Sequence, residues 1–67
     1  MTQSQYCVYY KLTRNATSWN KFHLRANSGE EAIAETIKPF SNYPELTVLG
    51  APLTSDKRKF EMKHGIK

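Results

Sequence analysis

In Phe22-His23-Leu24-Arg25-Ala26-Asn27-Ser28-Gly29-Glu30-Glu31-Ala32-Ile33 the apolar period changes from that of a strand to that of a helix. Phe22, Leu24 and Ala26 fall on one side of an extended segment, and Trp19, Lys21, His23 and Arg25 fall on the other. Ser28 then stands three residues before Glu31. That spacing is a capping box, and Glu30 and Glu31 also suit the positive end of a helix dipole. Ile33, Ile37 and Phe40, with Ala34 beside them, give one apolar stripe, and Pro39 stops regular helix near Lys38. The helix is about 15 Å long by the usual rise per residue. Such a helix is too short to stand alone, so it must pack on a sheet.

Upstream, Tyr6 to Thr13 alternates, with Tyr6, Val8, Tyr10 and Leu12 on one side and Cys7, Tyr9, Lys11 and Thr13 on the other. The polar run Arg14-Asn15-Ala16-Thr17-Ser18 joins the two strands as a hairpin. Apolar residues must share a face, so the pairing shifts in steps of two. The expected register sets Leu12 opposite Phe22, Tyr10 opposite Leu24, Val8 opposite Ala26, Tyr9 opposite Arg25 and Lys11 opposite His23. It avoids facing Lys11 with Lys21.

Downstream, Leu46-Thr47-Val48-Leu49 reads as a third strand. Gly50-Ala51-Pro52 disturbs it, since proline cannot donate to a ladder and favours an edge or a bulge. Thr54-Ser55-Asp56-Lys57 reads as a turn. Phe60, Met62 and His64 then alternate with Lys59, Glu61 and Lys63 as a fourth strand. The fold class is α+β: a single domain over 1–67, ordered over about 6–64, with one helix on one face of an antiparallel sheet in the order β-β-α-β.

A chain of 67 residues buries only about 60% of the surface its unfolded form exposes, so its stability is small. One cysteine excludes an internal disulfide, and with only two histidines beside it the sequence argues against a structural zinc site of the usual four-ligand kind. No apolar run reaches the ~18 residues of a membrane span, and no basic-then-apolar leader opens the chain. The expectation is a soluble cytoplasmic protein without cofactor or metal.

The net charge of +4 is unevenly spread. Residues 1–27 carry +4, residues 28–45 carry −3 and residues 46–67 carry +3. The helix is acidic, and what flanks it is basic. If the helix covers one sheet face, the other displays Tyr9, Lys11, Trp19, Lys21, His23 and Arg25. Aromatic platforms among cations suit single-stranded nucleic acid, where bases stack and phosphates pair. Trp, Tyr and Arg are also the residues enriched at protein-binding hot spots. The bland alternative is that these cations merely solvate an open sheet face. Lys57-Arg58-Lys59 forms a secondary basic patch on the following turn.

Catalytic constellations are missing. Cys7 and His23 fall on one expected face, but no acid orients the ring and no glycine-rich turn follows the thiol. The phrase from Phe22 through Ser28 to Ile33 resembles the strand-to-capped-helix phrase of small β-β-α-β proteins, among them some ribosomal proteins and some phage-encoded inhibitors of host enzymes. The resemblance implies the fold and is compatible with a small viral modulator. The expected function is therefore non-enzymatic. The basic-aromatic face docks on an acidic surface of a protein partner, such as a nucleic-acid-handling enzyme, and modulates it. The alternative is direct binding of single-stranded RNA or DNA through the same face. Homodimerisation by sheet-edge pairing is a third option, since a small open sheet has unpaired edges.

Overall fold

The middle strand of a three-stranded antiparallel sheet is β1 (Ser4–Lys11), flanked by β2 (Asn20–Ala26) and β3 (Thr47–Gly50). The computed structural model describes residues 3–66. Aromatic and aliphatic residues on both sides of β1 suit a strand covered on both faces. Accordingly Cys7, Val8 and Tyr9 have no accessible surface. Val8 joins Ala26 and Ala32 in the core, with Tyr6, Tyr10, Leu24, Ile33, Val48 and Ala51 packed around them.

Helix α1 (Gly29–Ile37) starts at the expected cap: Glu31 N–H donates to Ser28 Oγ at 3.2 Å. The Glu31 carboxylate accepts from Asn27 N–H at 3.3 Å, so the reciprocal half of the capping box reaches back to the residue before the cap. A 3-10 turn at Lys38–Phe40, built on Pro39, ends the helix. The buried line of α1 is Ala32 and Thr36, while Ala34 is exposed and Ile33 and Ile37 are half-buried. Small side chains at the contact let the helix approach the sheet closely. The Thr36 hydroxyl donates to the Ala32 carbonyl at 2.8 Å, which satisfies it on burial.

The hairpin register differs from the expected one. Val8 stands opposite Phe22, Tyr6 opposite Leu24, Cys7 opposite His23 and Tyr9 opposite Lys21. The slip is by an even number, so every side chain keeps its expected side of the strand. The connection lengthens to residues 12–19, and Leu12 and Trp19 move from the ladder into it. Aromatic and β-branched residues now face each other across the strands, and Lys11 gains an indole neighbour at Trp19. Arg14 N–H donates to Glu45 Oε1 at 2.9 Å, which ties the longer connection to the segment before β3.

Past β3, the chain continues along β1: Cys7 N–H donates to the Pro52 carbonyl at 2.9 Å, and Tyr6 bridges Leu53. The register shifts between Tyr9, opposite Gly50, and Tyr10, opposite Val48, so Leu49 is the bulged residue of β3, one position before the Gly50-Ala51-Pro52 run.

The expected fourth strand is instead a helix, α2 (Lys57–His64), entered through a 3-10 turn at Thr54–Asp56. Lys, Arg, Glu and Met are good helix formers, and no β-branched residue interrupts them. Gly65, at φ +68°, closes α2 with a Schellman pair. Gly65 N–H donates to Met62 O at 3.4 Å and Ile66 N–H to Glu61 O at 2.8 Å.

Phe60 of α2 stacks on Tyr9 with ring centroids 4.8 Å apart. Neighbouring strand residues point to opposite faces. Since Val8 packs with α1 and Tyr9 with α2, the two helices lie on opposite sides of β1.

The Phe60 ring lies flush on Gly50, where an added Cβ would stand 3.0 Å from Phe60 Cε2 and Cζ. The ring rests on Gly50 and on Tyr9 at once, so a Cβ at Gly50 would push it off the Tyr9 stack. Gly50→Ala should therefore destabilise the protein by about 1–3 kcal/mol through overpacking, read as a drop in thermal midpoint.

Candidate functional site

The side of the sheet expected to be open is partly covered by α2. Tyr9, expected there as an exposed stacking platform, lies under α2, and its hydroxyl donates to Glu61 Oε2 at 2.7 Å. Lys21 Nζ sits 2.9 Å from the same oxygen and 6.0 Å from the centroid of the Tyr9 ring. One carboxylate from α2 thus pins a phenol of β1 and an ammonium of β2. Of the expected set, Tyr9 is withdrawn into the core and Lys21 is engaged. The fourth-strand assignment hid this, because a strand would have left Glu61 on a solvated edge.

The cluster has a definite pH response. Burial holds the Tyr9 phenol well above its usual range, and the bond to Glu61 and the neighbouring Cys7 push the same way. The hydrogen bond from Lys21 holds Glu61 below the ordinary carboxylate value of 4.5. Tyr9 and the Lys57 charge assist, against partial desolvation.

A raised phenol contributes stability below its unfolded value of about 10, and loses it as pH climbs beyond. A depressed carboxylate contributes above its unfolded value and loses it as pH falls through the acid range. Urea midpoints should therefore be flat between roughly pH 5 and 10 as far as this cluster is concerned, falling on both sides. Glu61→Gln should remove the acid limb attributable to this group.

Four expected residues remain available at the margin of α2. Lys11 Nζ lies 4.7 Å from the Trp19 ring centroid, a cation–π contact that fixes the half-buried indole. His23 and Arg25 are exposed on β2. Beside them a cleft of about 410 Å³ opens between Thr17, Ser18 and Trp19 on one wall and His64, Gly65 and Ile66 on the other. The cleft exists because the long hairpin connection and the closed end of α2 meet there.

Lys57, Arg58 and Lys59 form the first turn of α2, where expectation set them on a turn leading to a strand. Cations at the positive end of a helix dipole are each unfavourable by about 0.3–1 kcal/mol at low salt. Asp56, directly before the helix, offsets part of this. Helical spacing turns Phe60 and Glu61 toward the sheet and Arg58, Lys59, Met62 and Lys63 outward. Met62 is 77% exposed, a surface feature that a strand reading, with Met62 beside Phe60, concealed. Its signal in the sequence is the 58, 59, 62, 63 spacing of one helix face.

Docking α2 in this way brings Lys11, Lys21 and Arg25 to the same side of the sheet as Arg58, Lys59 and Lys63. The glutamates of α1 lie on the opposite side. Cys7 stands directly across from His23, but its thiol has no accessible surface for a substrate to reach. Among the described residues no group of three or more His, Cys, Asp or Glu side chains is placed to hold a metal ion. No helix among them is long and apolar enough to cross a membrane.

Compared with protein-family models, curated proteins and solved structures, the chain matches none.

Proposed function

We propose that this protein is a non-enzymatic binding protein that docks a basic, tryptophan-bearing surface on an acidic surface of a protein partner and modulates that partner. The surface runs from Trp19, Lys11, His23 and Arg25 on the sheet to Arg58, Lys59 and Lys63 on α2. The observation that carries this reading is that cations of both basic segments share one side of the sheet with an indole held by Lys11 at 4.7 Å. An aromatic anchor with cations on the same face has the composition of a protein hot spot. The rim charges would speed and orient encounter with an acidic surface. The acidic α1 on the far side disfavours wrapping by a polyanion, and withdrawal of Tyr9 leaves one aromatic platform where stacking of successive bases needs several.

Trp19, the only tryptophan, reports on the choice between partners. Its fluorescence is followed while single-stranded RNA, single-stranded DNA and duplex are added at low and near-physiological salt. The reading predicts no saturable change up to about 10 μM, well inside the range of non-specific nucleic-acid binding. Saturable quenching that weakens steeply with salt would replace it by direct nucleic-acid binding.

A further inference from the structure

We infer that copies of this chain associate head to tail, with Met62 of one copy seated in an apolar pocket beside α1 of the next. The pocket, of about 150 Å³, is walled by Tyr10, Phe22, Pro39 and Phe40, with Glu35 at its rim. A cavity of that volume takes a group the size of benzene, which is also the scale of a methionine side chain. Its walls are aromatic, and thioether sulfur makes favourable contacts with aromatic rings. Phe22 is 46% exposed there although it lies opposite the core residue Val8, so the pocket has an uncovered apolar wall.

Charge selects the occupant. Glu35 is the one charged side chain lining the pocket, and α1, with Glu30, Glu31 and Glu35 and no cation within it, is net acidic, Lys38 following only at its end. Met62 projects from an outward face that carries Arg58, Lys59 and Lys63 and no acid. The most exposed large apolar side chain is thus framed by cations, and the one charged side chain lining the apolar pocket is a glutamate. They lie on helices on opposite sides of β1, so one molecule cannot satisfy its own pocket. A second copy can. Different patches meet in such a contact, so it is heterologous, and unless the rotation closes a ring it extends with concentration.

The contact shares Arg58, Lys59 and Lys63 with the surface proposed for a protein partner but needs no partner, and it is tested on the purified protein alone by sedimentation velocity. At about 0.01 M salt, where the screening length is about 30 Å, the mean mass should rise with protein concentration. It should return toward the monomer at about 1 M salt, where that length is about 3 Å. Met62→Glu and Glu35→Lys, both at exposed positions, should each abolish the rise while leaving the circular dichroism unchanged. Mixed in equal amounts they should form a dimer and stop, since one retains a working pocket and the other a working Met62. A wild type that stays monomeric at low salt would overturn the inference. So would an oligomer indifferent to Met62→Glu, as sheet-edge pairing would give, or a mixture that fails to pair.

Discussion

Tyr9→Ala is expected to remove most of the stability of the fold, about 3–5 kcal/mol by the usual scale for deleting a buried aromatic ring. A domain of this size has about that much in total, so the variant should be largely unfolded by circular dichroism. The size of the effect comes from what the side chain joins. Its ring supports Phe60 at 4.8 Å and is the surface on which α2 rests, while its hydroxyl reaches Glu61 at 2.7 Å.

Tyr9→Phe separates these roles. It keeps the stack and the Lys21–Glu61 pair and loses one hydrogen bond, so it should cost about 1 kcal/mol. Equal and small losses in both variants, measured by urea denaturation, would mean that α2 does not rest on Tyr9.

Trp19→Ala is expected to weaken binding to a protein partner by about 30-fold or more, corresponding to roughly 2 kcal/mol for a hot-spot residue. Most of that loss should lie in residence time. Arg25→Glu should act mainly on the association rate and its salt dependence, as rim charges do. Neither change should disturb the fold by more than about 1 kcal/mol, because Trp19 is tied to it chiefly by one cation–π contact. Tyr9 does not belong in this comparison, since any large change there removes the fold together with the surface.

The side of the strand that each residue faces was legible from alternation, and α1 was legible from Ser28 and Glu31. Both signals are local. The register was not, because it depends on how long a connection the chain accepts. The structure too keeps Lys11 from facing Lys21, but by setting Lys21 opposite Tyr9, which shortens the ladder at the hairpin end and lengthens the connection. The fate of residues 57–64 was misread for a related reason. Phe60, Met62 and His64 alternate, yet Phe60 and His64 also stand one helical turn apart, with ring centroids 4.4 Å from each other. Over so few residues the two periods cannot be told apart. Helix propensity and Gly65 favoured the helix, and tertiary support from Tyr9 and Gly50 accompanies it.

That single reassignment also explains the site. Lys11, His23 and Arg25 keep the side that alternation gave them and Trp19 sits in the hairpin connection against Lys11, whereas Tyr9 and Lys21 are taken up by a helix that alternation does not reveal. The outward Arg58, Lys59, Met62 and Lys63 follow only once α2 is a helix.

The central claim is that the basic surface around Trp19 binds protein and not nucleic acid. Capture on the immobilised protein from cell lysate, with and without nuclease treatment and with the Trp19→Ala/Arg25→Glu variant alongside, addresses it most directly. A discrete protein should be retained after nuclease treatment, be lost on the variant and re-bind the wild type once purified. Retention that disappears with nuclease, or that the variant preserves, would contradict it.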